Sequence, residues 1–194
     1  MSAPPYTATA TTAQYGHKLR NLYFLRFTFA LIWVGIMFAT AAQVVEPNVL
    51  LTVLLVLYPA FDAGAVLWQL RADPDQHRSK SSEWVGVVVS VAVAIALGIT
   101  SSISVSAALA VWGLWAIVAG IAQLITAIRN RHAGGQVAQM LSGGISVFAG
   151  GGFLWQGLQG SGTLAGAAGY AGLGVLFFLI SAIRLSIKLR RGTA

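Results

Sequence analysis

Cysteine is missing from all 194 residues of this chain, and acidic residues are scarce. Without cysteine there is no disulfide, no thiolate nucleophile and no metal site built from thiolates. Charged residues make up only 9% of the sequence, which leaves almost nothing of the chain outside a lipid bilayer. The acids are also dispersed over both predicted faces and the interior of the membrane with no convergent second group, so the paired carboxylates of an acid–base enzyme are not predicted. The five acids are Glu46, Asp62, Asp73, Asp75 and Glu83.

The charge-free runs of the sequence are long enough to cross a membrane more than once. Residues 84–128 and 133–183 contain no charged residue, and about 20 apolar residues make one span, so each run holds two helices. Polar or glycine-rich stretches at 100–106 and 157–162 mark the turns. The sequence therefore predicts an all-α polytopic membrane bundle of six transmembrane helices, at about residues 21–43, 49–70, 84–100, 105–128, 136–156 and 163–187.

The 12 Lys and Arg residues all fall on one side of this predicted bundle. They precede or open the first helix, follow the second and fourth helices, and close the sixth. Because short loops rich in Lys and Arg face the cytoplasm, both termini are predicted to be cytoplasmic. The net charge of +7 then reflects membrane orientation, so the lipid bilayer is the predicted partner and nucleic acid is not.

The predicted membrane domain covers residues 21–187 and leaves two short tails. Residues 1–20 have an Ala-, Thr- and Pro-rich composition, which is typical of a disordered tail. Residues 188–194 form a basic tail. Both tails are predicted to lie in the cytoplasm.

The sequence also repeats with a period near 55 residues. In the even-numbered helices Trp115 matches Tyr170, and in the odd-numbered helices residues 90–98 match residues 142–150 at equal spacing. Each unit is a pair of helices that begins and ends on the same side of the membrane. The pattern predicts three two-helix repeats of the same orientation, related by an axis along the membrane normal and packed in a three-fold-like bundle.

Two segments carry a family resemblance. Trp112-Gly-Leu-Trp-Ala-Ile-Val-Ala-Gly and Met140-Leu-Ser-Gly-Gly-Ile-Ser resemble the HdeD-like family of bacterial inner-membrane proteins, which are built from two-helix repeats. The resemblance covers helices 3 to 6 well, and helices 1 and 2 only in layout. It implies six helices in the bacterial inner membrane and a non-enzymatic role in acid or envelope stress, through assembly or partner binding. It implies no catalytic residue, and it names neither a substrate nor a protein partner.

Asp62 is the one acid inside a predicted span. An ionisable group in the membrane interior is costly and is a functional hypothesis by default. Arg26 enters the membrane from the same side, so an ion pair between Arg26 and Asp62 is predicted. In one interpretation this pair only fixes helix packing. In the other, Pro59 leaves the carbonyl of Leu55 without its helical hydrogen bond, Tyr58 lies one turn from the acid, and the group binds a proton or small cation.

These interpretations predict two different functions. The first is the non-enzymatic stress or envelope protein that the resemblance implies. The alternative is a small proton- or solute-permeable transporter or channel centred on Asp62. A polar, water-accessible cavity that reaches Asp62 favours transport, whereas a dry bundle with Asp62 sealed against Arg26 favours the first function.

Other patterns predict packing rather than chemistry. No cofactor and no metal site are predicted. Gly144-Ile-Ser146-Val matches half of an intramembrane serine-protease pattern, but no histidine falls within a span to act as the base, so Ser146 is predicted to be a packing residue. Small residues recur on the sixth helix at spacings of three and four, which predicts close helix packing and favours self-association. These small residues are Gly162, Gly166, Gly169 and Gly172.

Overall fold

The computed structural model describes residues 5–41, 44, 46–75, 80–129 and 136–192, and these residues form a helical bundle. A π-helical turn, Met37–Ala41, extends the first helix. The predicted limits of the other five helices agree with the structure to within three residues. The six α-helices are α1 (Pro5–Ile36), α2 (Val49–Ala72), α3 (Ser81–Ile103), α4 (Val105–Arg129), α5 (Gln136–Leu158) and α6 (Ala165–Arg190).

Five of the described helices are long and apolar enough to cross a membrane. The helix α5 is not among these five in the part of the chain that the structure describes. The outside of the bundle carries many large apolar side chains, such as Val88, Ile99 and Phe148. Helices of this length with an apolar outer surface are typical of a multi-pass membrane protein. A helix can span lipid because it satisfies its own backbone hydrogen bonds. The five spans are Gln14–Thr40, Val49–Ala72, Glu83–Ile103, Val105–Ile125 and Ala165–Arg190.

The N-terminal segment predicted to be disordered is helical from Pro5 onward. Proline is tolerated in the first turn of a helix because its missing N–H has no partner there in any case. The structure also gives this segment something to pack against. A Cβ atom at Gly16 would lie 2.9 Å from Cδ2 of Leu189, so α1 rests on the last turns of α6, which itself continues to Arg190. Composition alone missed this long-range contact.

The six helices form a closed ring. Around this ring, pairs of helices with extensive contact alternate with pairs that touch less extensively. The closest pairs are α4 with α5, α2 with α3, and α1 with α6, whereas α1 with α2, α3 with α4, and α5 with α6 touch less extensively. The closest pairs therefore join the end of one predicted repeat to the start of the next. This alternation is the pattern that three repeats around one axis would produce, and the repeat itself remains a prediction.

Glycines bring α4 and α5 into backbone contact. They recur every seven residues on both helices, as Gly113 and Gly120 on α4 and as Gly143, Gly150 and Gly157 on α5. A Cβ atom at Gly120 would lie 2.7 Å from the carbonyl oxygen of Gly143, and one at Gly150 would lie 2.6 Å from that of Gly113. Small residues at such positions let two membrane helices approach closely.

Within this chain, the glycines predicted to bring α6 close to another helix do not contact the backbone of a neighbour. Nothing lies within 4 Å of a Cβ atom built at Gly169 or Gly172, and Gly166 meets only the ring of Phe153. Gly162 precedes the helix, where its φ of +114° suits glycine in the loop. Gly169 and Gly172 therefore meet no neighbouring helix within one copy of the chain, and close packing through this face of α6 stays a prediction. The inward face instead carries Ala167, Ala168 and Ala171.

The buried core lies mainly at one end of the bundle. We call this the closed end; it is the end at which α1 meets α2, α3 meets α4, and α5 meets α6. Its largest side chains are Trp33, Met37, Leu109, Trp112 and Leu164. The opposite end, where α2, α4 and α6 terminate and the described Lys and Arg residues lie, is here named the basic end. The second described core cluster, near this end, is smaller.

Candidate functional site

A cavity of about 360 Å³ lies inside the bundle, lined by residues of α2 to α6. Along α4 it reaches from Trp112 to Gln123, roughly 16 Å at the rise of an α-helix, and so extends from the closed end towards the basic end. Most of the wall is apolar. The polar side chains of the wall are Tyr58, Asp62, Ser90, Gln123, Ser142, Ser146 and Tyr170.

Asp62 projects from the middle of α2 into this cavity. Its Oδ1 lies 3.3 Å from Nη2 of Arg26, so the predicted ion pair is present. Its Oδ2 accepts a hydrogen bond of 3.0 Å from the hydroxyl of Ser90 on α3. The Asp62 side chain nevertheless keeps 33% of its surface exposed. Because Asp62 lines the cavity, part of a membrane-buried carboxylate remains open to a ligand.

Arg26 is held less completely than its partner. Its side chain is 13% exposed, and its guanidinium carbon lies 5.4 Å from the centre of the Phe178 ring, within the range of a cation–π interaction. The Nε and Nη2 atoms are buried without a hydrogen-bond partner among the described residues. Charge and the aromatic face therefore hold this guanidinium, rather than a network of hydrogen bonds.

Pro59 is fully buried within α2, which stays helical on both sides of it. Proline has no N–H, so the carbonyl of Leu55 loses its usual helical partner. The carbonyl of the preceding residue, Leu54, accepts a hydrogen bond of 2.7 Å from the indole N–H of Trp33 on α1. The weakened turn of α2 is therefore fastened to α1 by a buried side chain.

Tyr58 does not complete the polar group that the sequence suggested. No hydrogen bond joins its hydroxyl to Asp62 in the described part of the chain. Its ring packs in an aromatic cluster instead, with centroids 4.7 Å from Trp33, 5.5 Å from Trp112 and 6.1 Å from Trp115. Tyr58 therefore contributes an aromatic wall beside the acid.

A second polar group lies on α5 and α6. The Tyr170 hydroxyl donates a 2.8 Å hydrogen bond to Ser146, whose hydroxyl donates a 2.9 Å hydrogen bond to the carbonyl of Ser142. Sequence reasoning had assigned Ser146 to packing alone, yet it lines the cavity. The internal repeat could have indicated the position of this group in the sequence, because the matched residues Trp115 and Tyr170 both line the cavity.

Comparisons with protein-family models, with characterised proteins and with solved structures find no match to this chain. The likeness to the HdeD-like family thus remains a prediction. Among the described residues, no group of three or more His, Cys, Asp or Glu is placed to hold a metal ion. The site is therefore defined by its own geometry, as an acid, hydroxyls and aromatic rings around a cavity inside an apolar bundle.

Proposed function

We propose that the chain is a six-span membrane protein that takes up a small solute in the cavity at Asp62, without enzymatic chemistry. The observation that carries this proposal is the partly exposed carboxylate that faces a cavity of about 360 Å³. Small-molecule sites are typically cavities of roughly 300–1,000 Å³ with apolar walls and a few placed polar groups. A charged group kept open in a membrane bundle is expensive, so its retention favours a functional role.

The packing of α5 supports a sixth span. Near the closed end, a Cβ atom at Gly157 would lie 2.5 Å from the carbonyl oxygen of Ser106, and near the basic end one at Gly143 would lie 2.9 Å from Cγ of Leu124. The helix α5 therefore runs antiparallel to α4 along nearly its whole length. Since α4 is itself long and apolar enough to span, a helix in backbone contact with it crosses the same layer.

The distribution of charge supports an orientation. Apart from Arg26, which pairs with Asp62 inside the bundle, the described Lys and Arg residues lie towards the basic end, where α2, α4 and α6 end. Positively charged loops favour the cytoplasmic side, so the basic end is proposed to face the cytoplasm. Placement in a bacterial inner membrane rests on the family resemblance alone.

The other predicted function, assembly or partner binding in stress, gains less support from the site. A bundle that served only assembly would be stable with Asp62 sealed against Arg26. In the structure the carboxylate also accepts a hydrogen bond from Ser90, and a third of the Asp62 side chain remains exposed. An acid–stress role therefore remains a prediction from the resemblance, and it is compatible with solute uptake.

Access to the cavity can be measured with introduced cysteines, because the chain has none of its own. Ser142 lines the cavity, and the adjacent Leu141 is 61% exposed on the outside of the same helix. A membrane-impermeant thiol reagent is expected to label Ser142→Cys from the basic side of sealed vesicles. It is expected to leave Leu141→Cys unlabelled, since a thiol facing lipid does not ionise.

Equal labelling of the two variants, or labelling of neither, would contradict an aqueous cavity. Because the two positions lie at the same depth, the comparison separates accessibility from distance to the membrane surface. Vesicles of both orientations, treated with the same reagent, identify the side from which the cavity opens.

A proton is a second candidate cargo, favoured by the two hydrogen-bonded groups on the cavity wall, Asp62 with Ser90 and Tyr170 with Ser146. After an acid jump, proteoliposomes containing the native protein and a pH dye are expected to acidify faster than empty vesicles. The double variant Arg26→Gln/Asp62→Asn is expected to remove this difference without leaving a buried arginine unpaired. Identical traces from all three samples would exclude proton passage.

A further inference from the structure

Aromatic rings line the cavity that Asp62 also lines. No Lys or Arg lines the cavity in the described part of the chain. The face of an aromatic ring is electrostatically negative and attracts cations. Together with the carboxylate, these rings make a region that favours positive charge. The aromatic lining residues are Tyr58, Trp112, Trp115, Tyr170, Phe177 and Phe178.

The rings next to Asp62 form one connected group. Tyr58 precedes the acid by one helical turn, so the two residues lie on the same side of α2. The Trp112 and Trp115 rings meet edge to face at 5.4 Å, and Tyr58 lies 5.5 Å from the first and 6.1 Å from the second. The group therefore presents aromatic surface about one helical turn from the carboxylate, on the wall of the same cavity.

Arg26 is itself a cation that contacts both a carboxylate and an aromatic ring in this chain. Its guanidinium lies between the carboxylate of Asp62 and the ring of Phe178. Arg26 occupies Oδ1 of the acid and is not part of the cavity wall. A carboxylate has about four lone-pair positions, so Asp62 can face a second cation from the cavity.

From these observations we infer that the solute is a small organic ammonium ion, of the trimethylammonium type. This inference rests on the proposed function and names its substrate class. An inorganic cation needs several oxygen ligands to replace its hydration shell, whereas this wall is mostly apolar. An alkylated ammonium ion carries its charge on an apolar surface, which matches rings and one acid.

The test uses choline and its neutral carbon isostere, 3,3-dimethylbutan-1-ol, as competitors of thiol labelling at Ser142→Cys. The two molecules have the same shape and differ in charge. Choline is expected to slow labelling at concentrations about tenfold lower than the alcohol, the ratio that corresponds to about 1.4 kcal/mol. Labelling of Leu141→Cys, where it is measurable in detergent, is expected to be insensitive to both.

Two further variants assign the effect to the acid and the rings. In the Ser142→Cys background, Arg26→Gln/Asp62→Asn is expected to reduce the preference for choline, because the carboxylate no longer faces the ammonium ion, while the unchanged rings retain part of the preference. Trp115→Leu is expected to weaken protection by choline by about twofold to thirtyfold, the range that corresponds to a cation–π contact, while leaving protection by the alcohol nearly unchanged. Trp115 does not contact the ion pair, so this variant tests the aromatic wall separately.

The outcomes separate the two proposals. If Ser142→Cys is labelled and choline protects no better than the alcohol, the cavity stands and the ammonium class is overturned. If the double variant keeps the full preference for choline, the role of Asp62 in recognition is overturned. If Ser142→Cys cannot be labelled from either side, the proposed solute cavity itself is overturned, and the ammonium class with it.

Discussion

Replacing Gly150 with alanine is expected to lower the free energy of unfolding by about 3 kcal/mol, the upper part of the range for overpacked sites. The new Cβ atom would lie 2.6 Å from the carbonyl oxygen of Gly113 and 2.9 Å from the backbone nitrogen of Ile117. Backbone atoms cannot move aside as a side chain can, so α4 and α5 must separate. Thermal unfolding in detergent, followed by tryptophan fluorescence, measures the effect.

Gly151→Ala is the matched control for this prediction. It adds the same methyl group one position along α5, where nothing lies within 4 Å of the new atom. Alanine is also the better helix former by up to about 1 kcal/mol, so this variant is expected to be as stable as the native protein or slightly more so. A similar loss in both variants would mean that contact between α4 and α5 does not limit stability.

Neutralising Asp62 while Arg26 remains is expected to cost about 3 kcal/mol. Removing one partner of a buried ion pair costs roughly 3–5 kcal/mol, because the other charge is left uncompensated. The lower value is expected here because Asp62 is one-third exposed. The variant Asp62→Asn should therefore unfold at a lower temperature in detergent than the native protein.

The double variant Arg26→Gln/Asp62→Asn is expected to recover most of that stability, because no buried charge is left without a partner. Replacing both members of a buried pair is often nearly neutral. If the double variant is less stable than Asp62→Asn alone, Arg26 contributes mainly through its contact with Phe178 rather than through the ion pair. The stability of the double variant also decides whether its transport data can be interpreted.

The helices and the Arg26–Asp62 pair could be predicted because both depend on local signals. Hydropathy runs fix the spans, and two charges that enter the membrane from one side have few other partners. The path of residues 5–20 could not be predicted in this way. Their helix is supported by α6, which lies at the other end of the sequence, as the contact of Gly16 with Leu189 illustrates.

Within one copy of the chain, the closest glycine packing lies between α4 and α5 rather than on α6. The spacing of small residues shows that a close approach is feasible, but it does not show which helix face has a neighbour. On α6 the faces of Gly169 and Gly172 meet nothing in this chain, whereas on α5 Gly150 meets the backbone of α4. The seven-residue spacing in α4 and α5 was present in the sequence, and its meaning required knowing that these two helices are partners.

The cavity was only partly predictable. Asp62 was identified because placing an ionisable group in the membrane interior costs free energy. Ser90 was missed because one serine in an apolar helix carries no distinctive signal. Tyr58 lies beside the acid as its position in the sequence indicates, but the sequence did not show that its ring packs against aromatic neighbours, since a phenol can serve as donor or as aromatic surface. Which use prevails depends on Trp33 and Trp112, residues that lie far away in the sequence.

The concentration of the core at the closed end determines how passage could occur. A pore open at both ends would need no rearrangement, but here tightly packed tryptophan, methionine and leucine side chains close one end of the bundle beyond the cavity. Passage of the proposed solute to the far side would therefore require a second, outward-facing conformation in which these side chains separate. The free-energy difference between the two conformations sets how rarely the outward-facing one is populated. Turnover would then be governed by that rare opening, and the protein would work as an alternating-access carrier rather than as a channel.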